Sequence, residues 1–248
     1  MMISPTKYPG TGAKATPIQK AEQVLMDLYK LKEKQSGCAP TLATFYPVDP
    51  TEIITLLGWT LHQVSMVGDS GSPQRHDALL DFEKKTITAE ITGEMLRSDL
   101  SGRARFTLAH EIGHILLHDG KGARIRARVA AMREKNGKQG ARLDPQEREA
   151  NRFATEFLMP RRAVEMRFKE IVGYSQIFLN SRFAQALAKE REPQALQSGE
   201  SLTRESLAKI LARYTPSDGK GSLATFFGVS VETMGYRLLE LRLALGRC

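Results

Sequence analysis

The sequence predicts an α+β protein, with a small N-terminal β-sheet packed on a mostly helical body and a helix-turn-helix-like module at the C-terminus. Three observations carry this prediction. Strand-like alternation is confined to about residues 59–91, and from Gly102 onward the apolar residues recur at helical spacing. Near the end, "SLATFFGVSVETMGYRLLELRLA" reads as a helix, a Gly-Val-Ser turn and a second helix. With 248 residues the chain can bury a proper core, as one domain with an appendage or as two small ones. The expected division is a mobile tail over residues 1–17, a main domain over 18–190 and the C-terminal module over 191–248.

Composition narrows the class. No apolar run approaches the roughly 20 residues of a membrane span, so no membrane association is expected. The opening "MMISPTKYPGTGAKATP" lacks the charged start, apolar middle and cleavage site of a signal peptide, which points to the cytoplasm. The two cysteines, Cys38 and Cys248, are then expected as free thiols. The balance of 36 Lys+Arg against 28 Asp+Glu gives a net charge of +8, which raises the odds of a polyanionic partner without naming one.

Taken in order, the elements are these. "IQKAEQVLMDLYKLKEKQ" places Ile18, Ala21, Val24, Leu25 and Leu28 on one face of a helix, broken by a Gly-Cys-Ala-Pro turn. Asp49 and Pro50 read as the N-cap and first position of a short helix that Gly58 ends. Strands are expected at Trp59–Met66, Ala78–Phe82 and Lys85–Ile91, the last two joined by a tight turn. The stretches 190–200 and 215–222 have the least ordered composition.

The chemistry is concentrated in "RARFTLAHEIGHILLHDG", residues 103–120. On a helix His110 and His114, four apart, point the same way and can grip one ion. Phe106, Leu108, Ala109, Ile112, Ile115, Leu116 and Leu117 cover nearly the whole circumference, so this helix is buried on most sides. Ionisable groups placed there need a strong partner, and a metal supplies one. The pattern is H-E-x-x-H, in which two histidines bind Zn²⁺ and the glutamate between them, here Glu111, is the general base. His118 continues the helix one turn on and reads as a supporting residue rather than a ligand, because a fourth protein ligand would leave no room for water.

A third ligand is expected from "LDPQEREANRFATEFLMP", where Asp144 is the N-cap and Pro145 the first helical position. Glu147 borders the apolar side formed by Ala150, Asn151, Ala154 and Leu158 and is the favoured donor, with Asn151 placed to orient a ligand. Two alternatives stay open. Asp-Pro-Gln-Glu is also a capping box that would turn Glu147 back to the N-cap amide, and Glu149 is the fallback ligand, although it falls with Arg152 and Glu156 on the expected wet face.

"RFTLAHEIGHILLH" followed by "EREANRFATEFLMP" resembles the ImmA/IrrE family of zinc metallopeptidases, over about residues 46–165. The family hallmark is an H-E-x-x-H helix and a later E-x-x-A-N-x-F-A-x-x-x-L-M-P segment. The resemblance implies a zincin-like body in which His110, His114 and Glu147 ligate Zn²⁺, Glu111 is the catalytic base and Asn151 supports a ligand in the gluzincin manner. It also implies cleavage, in the cytoplasm, of a helix-turn-helix repressor, which would switch on stress, prophage or defence genes. The chain departs from the simplest pattern in its long spacer and in having no repressor domain ahead of the protease, so a separate repressor encoded nearby is expected.

The spacer over 119–142 carries eight Lys/Arg against Asp119 and Glu134, a net of +6. It is either a solvated loop and helix or a surface for acidic substrate or nucleic acid, with Arg124, Arg126, Arg128, Arg133 and Lys135 the candidates and single-stranded DNA from damage the candidate activator. In the C-terminal module Ser230 is the expected N-cap, and Leu223, Phe227, Val229, Met234 and Leu238 the core. It is either a packing element or a DNA reader whose recognition face holds Glu232, Thr233 and Arg237. Cys38 is either a spectator or a thiolate latch on the open metal position. Tyr174 and the spacer arginines are the candidates for oxyanion stabilisation. The readings that compete with a protease are a non-catalytic metal-containing sensor and a DNA-binding transcriptional regulator.

Overall fold

The computed structural model describes residues 15–64, 78–90, 102–118, 126–127, 144–191, 202–216 and 218–246. They form an α+β protein, mostly helical with a small mixed sheet. The chain divides into two units, 1–40 with 49–158 and 41–48 with 159–248. Most of the expected 1–17 tail, and Cys248, lie outside the described residues.

In the first unit, α1 (Pro17–Ser36) starts with a capping box between Thr16 and Gln19 and stops at Gly37, whose left-handed φ of 72° suits glycine. Its buried face is Ala21, Val24, Leu25 and Leu28, as the spacing predicts. Helix α3 (Pro50–Leu56) is capped by Asp49, whose carboxylate accepts from the Thr51 amide at 2.9 Å. Strands β1 (Thr60–Val64), β2 (Ala78–Asp81) and β3 (Thr86–Glu90) fall within the expected ranges. With β4 (Arg126–Ala127) they order as β1-β3-β2-β4, with β1 parallel to β3 and the other pairs antiparallel. Ala78 and Leu80 of β2 pair with Ala89 and Ile87 of β3, and all four are buried, so period-two alternation fixes the covered face. The edge strand β4 (Arg126–Ala127) comes from the basic spacer, which the sequence did not mark as strand.

Helix α4 (Gly102–Leu117) packs chiefly on α5 (Pro145–Leu158), and α1 lies against α5 as well. Of α4, Leu108, Ala109, His110, Glu111, Ile112 and His114 are at most 1 % exposed, which matches a helix apolar nearly all round.

The second unit contains α2 (Leu42–Phe45), which the sequence reading missed, then α6 (Arg161–Val172), α7 (Arg182–Arg191), α8 (Arg204–Arg213), α9 (Leu223–Phe227) and α10 (Val231–Glu240). Strand β5 (Ile177–Phe178) runs parallel to β6 (Ala244–Leu245). Helices α9 and α10 and their Gly228-Val229-Ser230 turn lie where expected, with Ser230 accepting from the Thr233 amide at 3.1 Å. Leu223, Phe227, Val229, Met234 and Leu238 are all buried.

One expectation about α10 is corrected. Arg237 does not face solvent: it is 1 % exposed, its Nε donates to the Met159 carbonyl at 2.9 Å and its guanidinium meets Glu240 at 2.8 Å. Among the described residues no helix is long and apolar enough to cross a membrane.

Candidate metal centre

Helices α4 and α5 meet at a glycine. A Cβ added to Gly113 would lie 3.0 Å from the Ala150 Cα, 3.1 Å from its carbonyl oxygen and 3.2 Å from the Phe153 ring. Two of those atoms are backbone, so a side chain at this position would have to push the helices apart by a few tenths of an ångström. Ala150 follows Glu147 by one helical turn, and the close crossing brings the Glu147 carboxylate to α4.

There the side chains converge. Glu147 Oε2 lies 3.2 Å from His110 Nε2, Oε1 lies 3.3 Å from His114 Nε2, and the two imidazole nitrogens are 3.0 Å apart. Among the described residues His110, His114 and Glu147 are the group whose donor atoms could hold a metal ion. A tetrahedral site with bonds of about 2.0–2.1 Å separates its donors by about 3.3 Å, so the spacing fits. The donor chemistry fits too. Asn151 Oδ1, an acceptor, sits 2.9 Å from His110 Nδ1, which places the imidazole proton there and leaves Nε2 a bare lone pair aimed at a carboxylate. Lone pairs facing one another call for a cation.

The electrostatics agree. With protons rather than a cation on the facing nitrogens, burial pushes Glu147 upward, but hydrogen bonds from His110 and His114 and the charge of those rings outweigh it, bringing the carboxyl down to about 2. Burial holds His114 below the ordinary histidine range, although a hydrogen bond to Glu147 would favour its protonated form. Glu111 is opposite in character. It is 0 % exposed, neither carboxylate oxygen has a hydrogen-bond partner among the described residues, and burial followed by the negative charge of Glu147 raises its pKa well above the carboxylate range. An acceptor kept dry and unpaired in this way is suited to receiving a proton during a reaction.

Of the remaining candidates, His118 is 8 % exposed, and its Nδ1 lies 3.1 Å from His114 Nδ1. The carboxylate of Glu149 lies 2.8 Å from His118 Nε2 and outside the donor group. Sequence reasoning placed Glu149 on the wet face because, two residues from Glu147, it stands about 200° round the helix. The available signal was His118 itself, a buried imidazole that needs an acceptor. Glu156, also expected to be wet, is 4 % exposed.

The structure does not bring Cys38 to the cluster. Its thiol is exposed just past the end of α1, 3.6 Å from Ser36 Oγ. Arg124, Arg128, Arg133 and Lys135 lie outside the described residues, and Arg126 is described only as backbone in β4. Tyr174 is an exposed residue of the second unit, against Phe183.

A histidine pair and a glutamate from the next helix, with a dry glutamate between the histidines, define a metallopeptidase type of site. Residues 97–187 match the Peptidase_M78 family, described as the IrrE N-terminal-like domain. That span contains both motif helices, and the match bears out the ImmA/IrrE resemblance. No match was found among curated proteins.

Proposed function

We propose that this chain is a zinc-dependent endopeptidase that cleaves a separate helix-turn-helix repressor in the cytoplasm, derepressing stress, prophage or defence genes. The observation that carries the reading is Glu111, buried and without a hydrogen-bond partner among the described residues, beside the convergent His110, His114 and Glu147. The chemistry that a divalent cation supplies at such a site is polarisation of the scissile carbonyl and acidification of water.

The chain's own residues do the rest. His110 and His114 present Nε2 lone pairs, and Asn151 holds the His110 ring in the required tautomer. Glu147 brings a negative charge that persists at neutral pH. A Glu111 carboxylate oxygen takes the proton from the attacking water and returns it to the leaving amine.

The family match supports a metallopeptidase role. The repressor substrate is the family's usual one, and the +6 charge of the spacer supports single-stranded DNA as an activator. A regulator acting through α10 fits less well, since Arg237 is buried and Glu232, Tyr236 and Glu240 are exposed.

The test is incubation of the full chain, loaded with zinc, with the DNA-binding proteins encoded beside it, with and without single-stranded DNA. Mass spectrometry should find one new terminus that Glu111→Gln, at unchanged metal content, fails to produce. Cleavage by both proteins, or by neither, refutes the proposal. Equal rates with and without DNA remove the activator alone.

A further inference from the structure

We propose that Glu149 is a positioning residue for the metal centre: through His118 it fixes the tautomer and ring orientation of His114. The inference rests on the reading of His110, His114 and Glu147 as metal ligands. It deepens that reading by assigning a residue outside the donor group.

The argument follows the protons. A carboxylate accepts hydrogen bonds and cannot donate them, so the 2.8 Å contact from Glu149 Oε2 places a proton on His118 Nε2. A neutral imidazole carries one N–H, which leaves His118 Nδ1 an acceptor. His114 Nδ1, 3.1 Å away, is therefore the donor of that pair. His114 in turn has its lone pair on Nε2, the atom 3.0 Å from His110 Nε2 and 3.3 Å from Glu147 Oε1. With the chain reversed, His114 would turn an N–H on the cation.

The two ligand histidines are thus served unequally. His110 is set directly by Asn151, whereas His114 is set through a second imidazole by a carboxylate from the same helix, α5. The His118 side chain is 4 % exposed, so water does not readily replace Glu149, while Glu149 itself is 42 % exposed and can be altered with little disturbance of the core. Partners that orient metal-bound histidines change metal affinity by about 10–100-fold when removed.

The experiment titrates Zn²⁺ into the metal-stripped full chain against a chromophoric chelator, for the wild type, Glu149→Ala and Glu149→Gln. Thermal unfolding of each metal-free protein is measured beside it. Glu149→Ala is expected to bind Zn²⁺ about 10–100-fold more weakly. Glu149→Gln keeps an acceptor oxygen and should remain within a few-fold of the wild type, and the metal-free midpoints should agree. With only five histidines in the chain, ¹⁵N-histidine spectra should show a single N–H tautomer for His118 in the wild type and Glu149→Gln, and tautomer exchange in Glu149→Ala. Equal affinity of the wild type and Glu149→Ala, or equal losses in both variants with lowered metal-free midpoints, overturns the proposal and leaves the ligand reading standing. A wild type that binds no Zn²⁺ overturns both.

Discussion

Arg237 in the second unit and Glu111 in the first are both withdrawn from water, at 1 % and 0 % exposure, yet their surroundings differ completely. Arg237 spends its donors on the Met159 carbonyl and the Glu240 carboxylate. Among the described residues Glu111 has no hydrogen-bond partner for either oxygen. A buried charged group costs several kcal/mol unless it is paired, so the first arrangement is what stability selects and the second is what stability alone would remove. The comparison separates a side chain kept for structure from one kept for chemistry, and substitution should move the two in opposite directions.

The largest effect should come from Glu111→Gln. Losing the proton acceptor is expected to lower kcat/KM by about 10²–10⁴-fold, roughly 3–5 kcal/mol in the barrier, with bound metal unchanged. The measurement is peptide or repressor cleavage alongside metal analysis. A variant within threefold of the wild type would place Glu111 with Arg237 as a structural residue. Next in size is Arg237→Met, which fills similar volume but leaves the Met159 carbonyl unpartnered. It should cost about 2–3 kcal/mol, read as a lower urea midpoint, while the metal affinity of the first unit stays the same.

Gly113→Ala tests the helix crossing that brings Glu147 to the histidines. Alanine favours a helix over glycine by about 1 kcal/mol, but its Cβ would press on Ala150 backbone atoms that cannot rotate away. A net loss of about 1–2 kcal/mol is expected, with metal binding weaker by about tenfold because Glu147 is moved from the histidines. A stabilised protein with unaltered zinc affinity would show that the crossing has slack.

Much of this was legible in the sequence where the signal is local. The helical spacing of His110 and His114, the caps at Asp49 and Ser230 and the alternation of β2 and β3 each depend on a few neighbouring residues. What was not legible depends on a second element. Glu156 read as solvated because a helical wheel knows nothing of the helices beside it, the contact of the half-exposed Glu149 with His118 was hidden for the same reason, and Arg237 read as an exposed cation although its acceptor, Met159, is 78 residues away. The strand β4 is two residues long and forms only by pairing with β2, so no periodicity announces it.

The smallest predicted effect is also the one that most sharpens the contrast between Glu111 and Arg237. A carboxyl whose folded pKa is raised contributes its stability below the unfolded value of about 4.3 and loses it as pH rises toward the folded value. Glu111 is such a group, raised by burial and then by the charge of Glu147. In the metal-free protein Glu111→Gln should therefore match the wild type near pH 4 and become the more stable of the two as pH rises. The gain at pH 8 is about 1 kcal/mol, the low end for an unsatisfied buried group because the carboxyl can bind a proton instead. The depressed pKa values of Glu147 and His114 have the opposite sign, with stability lost on acidification, but they are common to both proteins and largely cancel in the difference. Thermal midpoints of the two metal-free proteins from pH 4 to pH 8 test this. If they run parallel across that range, Glu111 is compensated in the resting protein, and its contrast with Arg237 disappears.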